Sequence, residues 1–279
     1  MKRVELNGKK AKVVHVAGDF LSPRGKSSTN QIYTINEDNN TVSVMDGSTN
    51  DFIATINVGR QPTNVNGNPS TNRIYVTNKG DDTVSVIDAG TNTVIGIIPV
   101  GDQPSGVGVN PYTNRVYITN AGQDTVSVID GATNIVIATI AVETHPINLD
   151  VHPYINRIYV ANKFKNTVSV IDGLTNTVMS TVRVGDQPTD LGANLSSNRI
   201  YVANKNSDTV SVIDAGTNAV IGIVPVIEQP SMVDVNVDNN QIHVTNEENS
   251  VVSVIDGATN IVIATLPVGD QSTYTITDA

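Results

Sequence analysis

Asn114-Arg-Val-Tyr-Ile-Thr-Asn120 and Thr125-Val-Ser-Val-Ile-Asp130 decide the fold, because close copies of both strings return at a constant interval along the chain. The motif Asn-(Arg/Gln)-(Ile/Val)-(Tyr/His) begins at positions 30, 72, 114, 156, 198 and 240, so the repeat is 42 residues long and uninterrupted. Self-similarity at a fixed period of this length indicates a repeat architecture. Each unit is therefore expected to occupy an equivalent place in the structure.

The third unit shows four predicted strands, which we name A to D. They are the Val/Ile-rich runs 105–110, 115–120, 125–130 and 135–142, and turn-forming residues separate them. Such a meander cannot bury its apolar side chains alone, so equivalent sheets must stack face to face around an axis. Residues 1–279 are predicted to form a single all-β domain, a β-propeller of four-stranded antiparallel blades.

Shorter strings within the repeat resemble a known family. Tyr-(Val/Ile)-(Thr/Ala)-Asn, followed each time by Thr-Val-Ser-Val-Ile-Asp, begins at Tyr75, Tyr117, Tyr159 and Tyr201. The link Val-Gly-Asp-Gln-Pro begins at Val100 and Val184. In these motifs nearly the whole chain resembles the YVTN-repeat β-propellers. The resemblance implies a propeller, often of seven blades, found mostly in bacterial and archaeal surface, secreted or periplasmic proteins, and it implies no single activity.

The two ends of the chain leave two blade counts open. We favour seven blades, the last closed by both termini, with 3–6 and 11–16 as its final two strands and 273–277 as its strand A. In the six-bladed alternative, 273–277 replaces the poor segment 22–26 as an inner strand.

Composition excludes several classes of partner and cofactor. The net charge is −10 and the pI is about 4.7, so phosphate-rich partners are repelled on average and we expect no nucleic-acid partner. The chain has no Cys for disulfides or thiolate metal sites, and no Trp on which a quinone cofactor would stack. We expect no cofactor, no metal and a monomer.

The chain has no apolar run long enough to span a membrane, so we expect no membrane insertion. No apolar stretch follows the basic residues at its start, so we expect no signal peptide in this sequence. The family resemblance nevertheless implies a cell-surface, secreted or periplasmic location. A cytoplasmic location is the alternative.

The loops between strands predict a binding face. In a propeller the D-to-A links and the B-to-C loops share one rim, the top face, where ligands of such folds usually bind. The C-to-D turns barely differ between units, whereas the B-to-C loops differ freely. Lys163, Lys165 and Lys205 form a cationic arc there, opposite an acidic arc on units six and one. This arc is predicted to bind a protein or other macromolecule; alternatively, exposed loops simply tolerate charge.

Strand A carries a second pattern, because alternate positions are polar and the period of two places them at the innermost edge of each blade. The polar candidates are Asn64, Asp150, Asp190 and Asp234. The three acids can surround a cation or a polar ligand, and the alternative is a water-filled channel lined by polar side chains. The run from Asp234 to Asp238 resembles an EF-hand start but lacks the required Gly and Glu, so no metal site is assigned.

One link between units departs from the others, with Glu143-Thr-His145 in place of Gly-Asp-Gln. A carboxylate–imidazole pair can act as a general base, and the alternative is drift within a repeat. The sequence contains no nucleophile elbow, phosphate loop or dinucleotide fingerprint, so no catalytic residue is assigned.

These patterns favour a non-enzymatic binding or scaffold propeller that presents its top face to a partner at the cell envelope. The alternative is a propeller enzyme, a lyase or hydrolase similar in architecture to the streptogramin-type lyases, with its site at the top of the channel. A third interpretation is a purely structural module of a larger surface protein.

Overall fold

The computed structural model describes residues 11–16, 30–246 and 248–268, and these form six four-stranded antiparallel sheets, one for each repeat. The innermost strands, A, are β1 (Ala11–Val16), β5 (Pro62–Asn68), β9 (Pro104–Asn110), β13 (Pro146–His152), β17 (Pro188–Asn194) and β21 (Pro230–Asn236). The B strands are β2 (Gln31–Asn36), β6 (Arg73–Asn78), β10 (Arg115–Asn120), β14 (Arg157–Asn162), β18 (Arg199–Asn204) and β22 (Gln241–Asn246).

The C strands are β3 (Thr41–Asp46), β7 (Thr83–Asp88), β11 (Thr125–Asp130), β15 (Thr167–Asp172), β19 (Thr209–Asp214) and β23 (Val251–Asp256). The outermost strands, D, are β4 (Phe52–Asn57), β8 (Thr93–Pro99), β12 (Ile135–Ala141), β16 (Thr177–Arg183), β20 (Ala219–Pro225) and β24 (Ile261–Pro267). A short 3-10 helix, Glu37–Asn39, fills the first B-to-C loop. The predicted propeller of four-stranded blades is confirmed. No helix in the described ranges is long and apolar enough to cross a membrane.

The first strand corrects one prediction. Ala11–Val16 was expected in a seventh blade, but it pairs antiparallel with β2 along its whole length and is strand A of the first blade. Half of its residues are valine, whereas 22–26 contains Pro and Gly, which weaken a strand. The inner strand of the first blade is therefore Ala11–Val16, and neither 22–26 nor the 273–277 of the six-bladed alternative holds that place. The segments 3–6, 22–26 and 273–277 lie outside the described residues, so the number of blades stays a prediction.

The core lies between neighbouring blades. In one cluster Tyr75, Val84 and Val86 of the second blade pack against Val107 and Ile118 of the third, and the other clusters repeat this arrangement. Apolar burial is the main favourable term in folding, and here it requires two sheets face to face. A blade is therefore stabilised by its neighbours, as predicted from the inability of one meander to bury its apolar side chains alone.

Hydrogen bonds join successive blades at both ends of the sheets. At the top, the backbone N–H of the residue before strand A donates to a side chain in the preceding B-to-C loop, as from Gln103 to Asp82 at 2.8 Å. At the bottom, the last residue of strand A donates to an Asn in the following blade, as from Asn110 to Asn156 at 2.7 Å. The top face thus holds its loops in fixed positions.

Buried tyrosines of strand B provide a matched test of these contacts between blades. The Tyr201 hydroxyl donates to Asn260 Oδ1 at 2.9 Å, whereas the Tyr117 hydroxyl and Asn176 Oδ1 are buried with no hydrogen-bond partner in the described part of the chain. We expect Tyr201→Phe to lower the free energy of unfolding by about 1 kcal/mol and Tyr117→Phe to leave it unchanged or raise it. Urea unfolding measures both. Equal losses at the two sites would contradict the assignment.

Candidate functional site

The inner strands surround a polar channel. A cavity of about 290 Å³ lies among them, and its polar lining includes Asn64, Asn66, Asn148, Asp150, Asp190 and Asp234. The structure therefore places all four strand A candidates on the channel, where the period of two predicted them. A second cavity of about 280 Å³ shares Asn64, Asn148 and Asp190 with the first and lies towards the top face.

The channel carboxylates are bound to backbone. Asp150 accepts the N–H groups of Val151 at 2.7 Å and Ala193 at 2.8 Å. Asp190 accepts the N–H of Val233 at 2.9 Å. These bonds join the fourth blade to the fifth and the fifth to the sixth. Within the described residues no group of three or more His, Cys, Asp or Glu side chains is placed to hold a metal ion. The acids stabilise the channel wall.

Asp150 has an unusual ionisation. Burial raises the pKa of its carboxyl to about 7, although the hydrogen bonds from the Ala193 and Val151 N–H groups act to lower it. The charges of Asp190 and Asp234 also raise this pKa. Near neutral pH this group therefore exists in both its protonated and ionised forms. The channel carries less negative charge than its three acids suggest.

A chain of side chains crosses the channel. Asn64 Nδ2 donates to Asn148 Oδ1 at 3.2 Å, and Asn148 Nδ2 donates to Asp190. The chain runs from the second blade to the fourth and the fifth. Because these three residues line both cavities, they form the floor of the upper cavity, which we call the mouth pocket.

Above its floor, the mouth pocket is lined by side chains of three kinds. Hydroxyls line part of its wall, and those of Thr63 and Ser105 donate to proline carbonyls of the following blade at 3.0 and 3.1 Å. Ile147 and Met232 are apolar, and Lys79 and His145 are basic. Lys79 was not predicted as a site residue. The sequence did offer a signal for it, because Lys79 occupies the same position in the repeat as Lys163 and Lys205.

His145 is fixed in place. Its backbone has φ 60° and its N–H donates to Asp124 at 2.8 Å, while its ring stacks on Phe164 with 4.4 Å between centroids. Burial lowers the pKa of the imidazole, and the charges of Lys163 and Lys79 act in the same direction. No hydrogen bond or ion pair among the described residues joins it to Glu143, so the carboxylate–imidazole pair suggested by the sequence is not formed.

Phe164 was missed by sequence reasoning. Its side chain is 60% exposed on the top face, and Lys163 Nζ lies 5.9 Å from the ring centroid. The Lys163 backbone N–H donates to the His145 carbonyl at 3.0 Å, so the loop and the link form one surface. The sequence signal that could have identified Phe164 is a large apolar residue in a loop whose other residues are polar. Lys165 is exposed and Lys205 is half-buried on the same face.

The fourth blade departs from the repeat at four positions. At equivalent positions His145 replaces Gln, Ile147 replaces Ser or Thr, and His152 replaces Asn. Phe164 has no large apolar counterpart in the other B-to-C loops. Three of these four residues lie at the top face or the mouth pocket. These departures therefore give the fourth blade a top-face chemistry of its own.

The sheets and their central channel define the class of protein, a repeat β-propeller. Comparison with solved structures agrees: the chain is similar to hydrazine synthase of Kuenenia stuttgartiensis, with a TM-score of 0.78 and 18% identity over 86% of this chain and 84% of that one. It is also similar to a functionally unknown protein from Desulfotomaculum acetoxidans DSM 771, with a TM-score of 0.75 and 15% identity over 83% and 78%.

At these identities the likeness shows the fold alone. One neighbour is an enzyme and the other has no known function, so neither favours a binding role or a catalytic one. No family model matches the chain, and no curated protein matches it. Membership of the YVTN-repeat family therefore stays a prediction.

Proposed function

We propose that this protein is a single-domain, non-enzymatic binding propeller of the cell envelope that holds a protein partner on its top face at the fourth and fifth blades. The observation that carries the proposal is Phe164, an exposed aromatic ring that is stacked on His145 and flanked by Lys163 and Lys165. The envelope location rests on the resemblance of the repeats to surface propellers.

The physical argument concerns the cost of association. Aromatic side chains, phenylalanine among them, are enriched at the centres of protein interfaces. A ring that is already ordered loses little conformational entropy when a partner covers it. The protein has a net charge of −10, so the cationic arc of Lys163, Lys165 and Lys205 gives an acidic partner one favourable place to approach.

The enzyme alternative has less support in this geometry. The His145 imidazole is stacked on Phe164 and interacts with the Ala121 backbone, and no carboxylate of the described residues is hydrogen-bonded to it to make an acid–base pair. The nearby charges of Lys79 and Lys163 are positive, which suits a ligand anion. A lyase or hydrolase would have to use other groups.

A photo-crosslinking experiment tests the binding face. We expect benzoylphenylalanine at position 164 to crosslink a protein in an envelope extract of the source cells, and the same probe at Leu174 to give none. Leu174 is 85% exposed but lies in a C-to-D turn on the opposite face, so it controls for adventitious contact. Equal labelling from both positions would contradict the proposal.

Charge reversal provides the second arm. We expect Lys163→Glu, Lys165→Glu and Lys205→Glu together to reduce the crosslink at least tenfold, because the partner is expected to be acidic. The control carries Ala132→Glu and Leu174→Glu, which add negative charge at C-to-D turns of the opposite face. An undiminished crosslink in the triple variant would remove the cationic arc from the interface.

A further inference from the structure

The mouth pocket has the form of a site for one end of a ligand. Its volume is about 280 Å³, and the chain from Asn64 through Asn148 to Asp190 closes it below. A cavity closed on one side limits the depth to which a group can enter. The side chains on its wall therefore decide which group that is.

The rim of the pocket is cationic, whereas the whole protein has a net charge of −10. Lys79 enters from the second blade and His145 from the fourth, and Lys163 adds its charge nearby. The acid on the lining is Asp190, which lies at the floor and accepts bonds from Asn148 and the Val233 backbone. A cationic rim within an acidic protein attracts an anionic group to this one place.

The other walls of the pocket narrow the chemical class of the ligand. The Thr63 and Ser105 hydroxyls donate to proline carbonyls, so their protons are used within the protein. Ile147 and Met232 supply apolar surface. An aliphatic carboxylate matches this combination, because its methylene groups can contact the apolar walls while its oxygens accept from lysine and imidazole.

We infer that the mouth pocket binds an aliphatic carboxylate of the partner, a Glu side chain or a chain terminus, between Lys79 and His145. This inference rests on the proposed protein-binding function. Phe164 then contacts the surface of the partner while one acidic group enters the channel. Gln, which other blades have in place of His145, cannot take up a proton and so supplies no charge to such a group.

Two pairs of peptides test the pocket and distinguish the two sources of the carboxylate. Acetyl-Gly-Glu-Gly-amide is compared with acetyl-Gly-Gln-Gly-amide, and acetyl-Gly-Gly with a free carboxylate is compared with its amide. The readout is the imidazole NMR signal of His145, assigned by its loss in His145→Gln. We expect one acidic peptide to shift this signal and to raise the pKa of His145, and its neutral partner to do neither.

Variants connect the signal to the pocket. Lys79 is exposed, so Lys79→Gln should fold normally. We expect this variant to bind the acidic peptide at least tenfold more weakly. Arg183→Gln is the control, since Arg183 is an exposed cation on the outermost strand β16 and lines neither cavity, and we expect less than a twofold change. Equal binding of acidic and neutral peptides, or an unchanged affinity in Lys79→Gln, would overturn the inference.

The outcomes also separate this inference from the proposed function. Selective peptide binding without a crosslink at position 164 would support the pocket and overturn the protein-binding role. A crosslink at position 164 without selective peptide binding would overturn the pocket alone.

Discussion

Raising the pH from 5 to 8 will lower the free energy of unfolding of this protein by about 2–3 kcal/mol more than it does in the Asp150→Asn variant. The cause is the Asp150 carboxyl, because burial raises its pKa to about 7 from the ordinary value of 3.8. The amide that the substitution introduces does not ionise in this range. The difference between the two pH profiles therefore isolates a single group.

The sign of the effect follows from the pH at which Asp150 loses its proton in each state. The unfolded chain releases the Asp150 proton near pH 4, whereas the folded protein retains it until about pH 7. Between these values rising pH favours the unfolded state, and above pH 7 the loss is complete. The raised pKa thus gives stability that is present at acidic pH and absent at alkaline pH.

Urea unfolding at four pH values between 5 and 8 measures the effect. Asp172→Asn is the matched control, since backbone N–H groups of Thr175 and Leu174 lower the pKa of Asp172 and its proton is lost in both states over this range. We expect the profile of Asp172→Asn to run parallel to that of the unaltered protein. A parallel profile for Asp150→Asn as well would show that Asp150 ionises normally in the ring.

Most of the blade could be predicted because its signals are local. The predicted strands 115–120 and 125–130 have the bounds found in the structure, and strand A of the same unit differs by one residue. Each strand ends at turn-forming residues, and several of these Asn residues, such as Asn114, have positive φ. Such signals act over four or five residues and repeat six times, so each copy supports the others.

The channel site could be predicted only in part, because it depends on contacts between distant units. The bond between Asn64 and Asn148 joins residues 84 positions apart, in blades that are not successive. Which side chains meet across the channel depends on the geometry of the ring, and no spacing in the sequence encodes it. The sequence singled out His145 but paired it with Glu143, the nearest carboxylate along the chain, whereas the fold pairs it with Phe164.

The seam between the fourth and fifth blades lacks a bond that other seams have. At the end of strand A, Asn68 and Asn194 donate to Asn114 and Asn240 of the following blades at 2.7 and 2.6 Å. His152 occupies this position in the fourth blade. Its side chain is only 2% exposed, and although the imidazole lies close to Asn198, neither ring nitrogen makes a hydrogen bond of good geometry with the described residues. A buried polar group without a partner costs free energy that water would otherwise offset.

We therefore expect His152→Asn to raise the free energy of unfolding by about 1–3 kcal/mol, because it replaces two poorly bonded ring nitrogens by an amide that can donate to Asn198 as Asn68 and Asn194 donate at the other seams. The gain should be larger below pH 6.5. Burial lowers the pKa of His152, so below pH 6.5 the imidazole becomes protonated in the unfolded chain while it stays neutral in the folded protein. The free energy of unfolding of the unaltered protein therefore decreases as the pH decreases in that range. Asn110→His is the reciprocal control and should lose a similar amount. If both variants unfold at the same urea concentration as the unaltered protein, the seam does not depend on this bond.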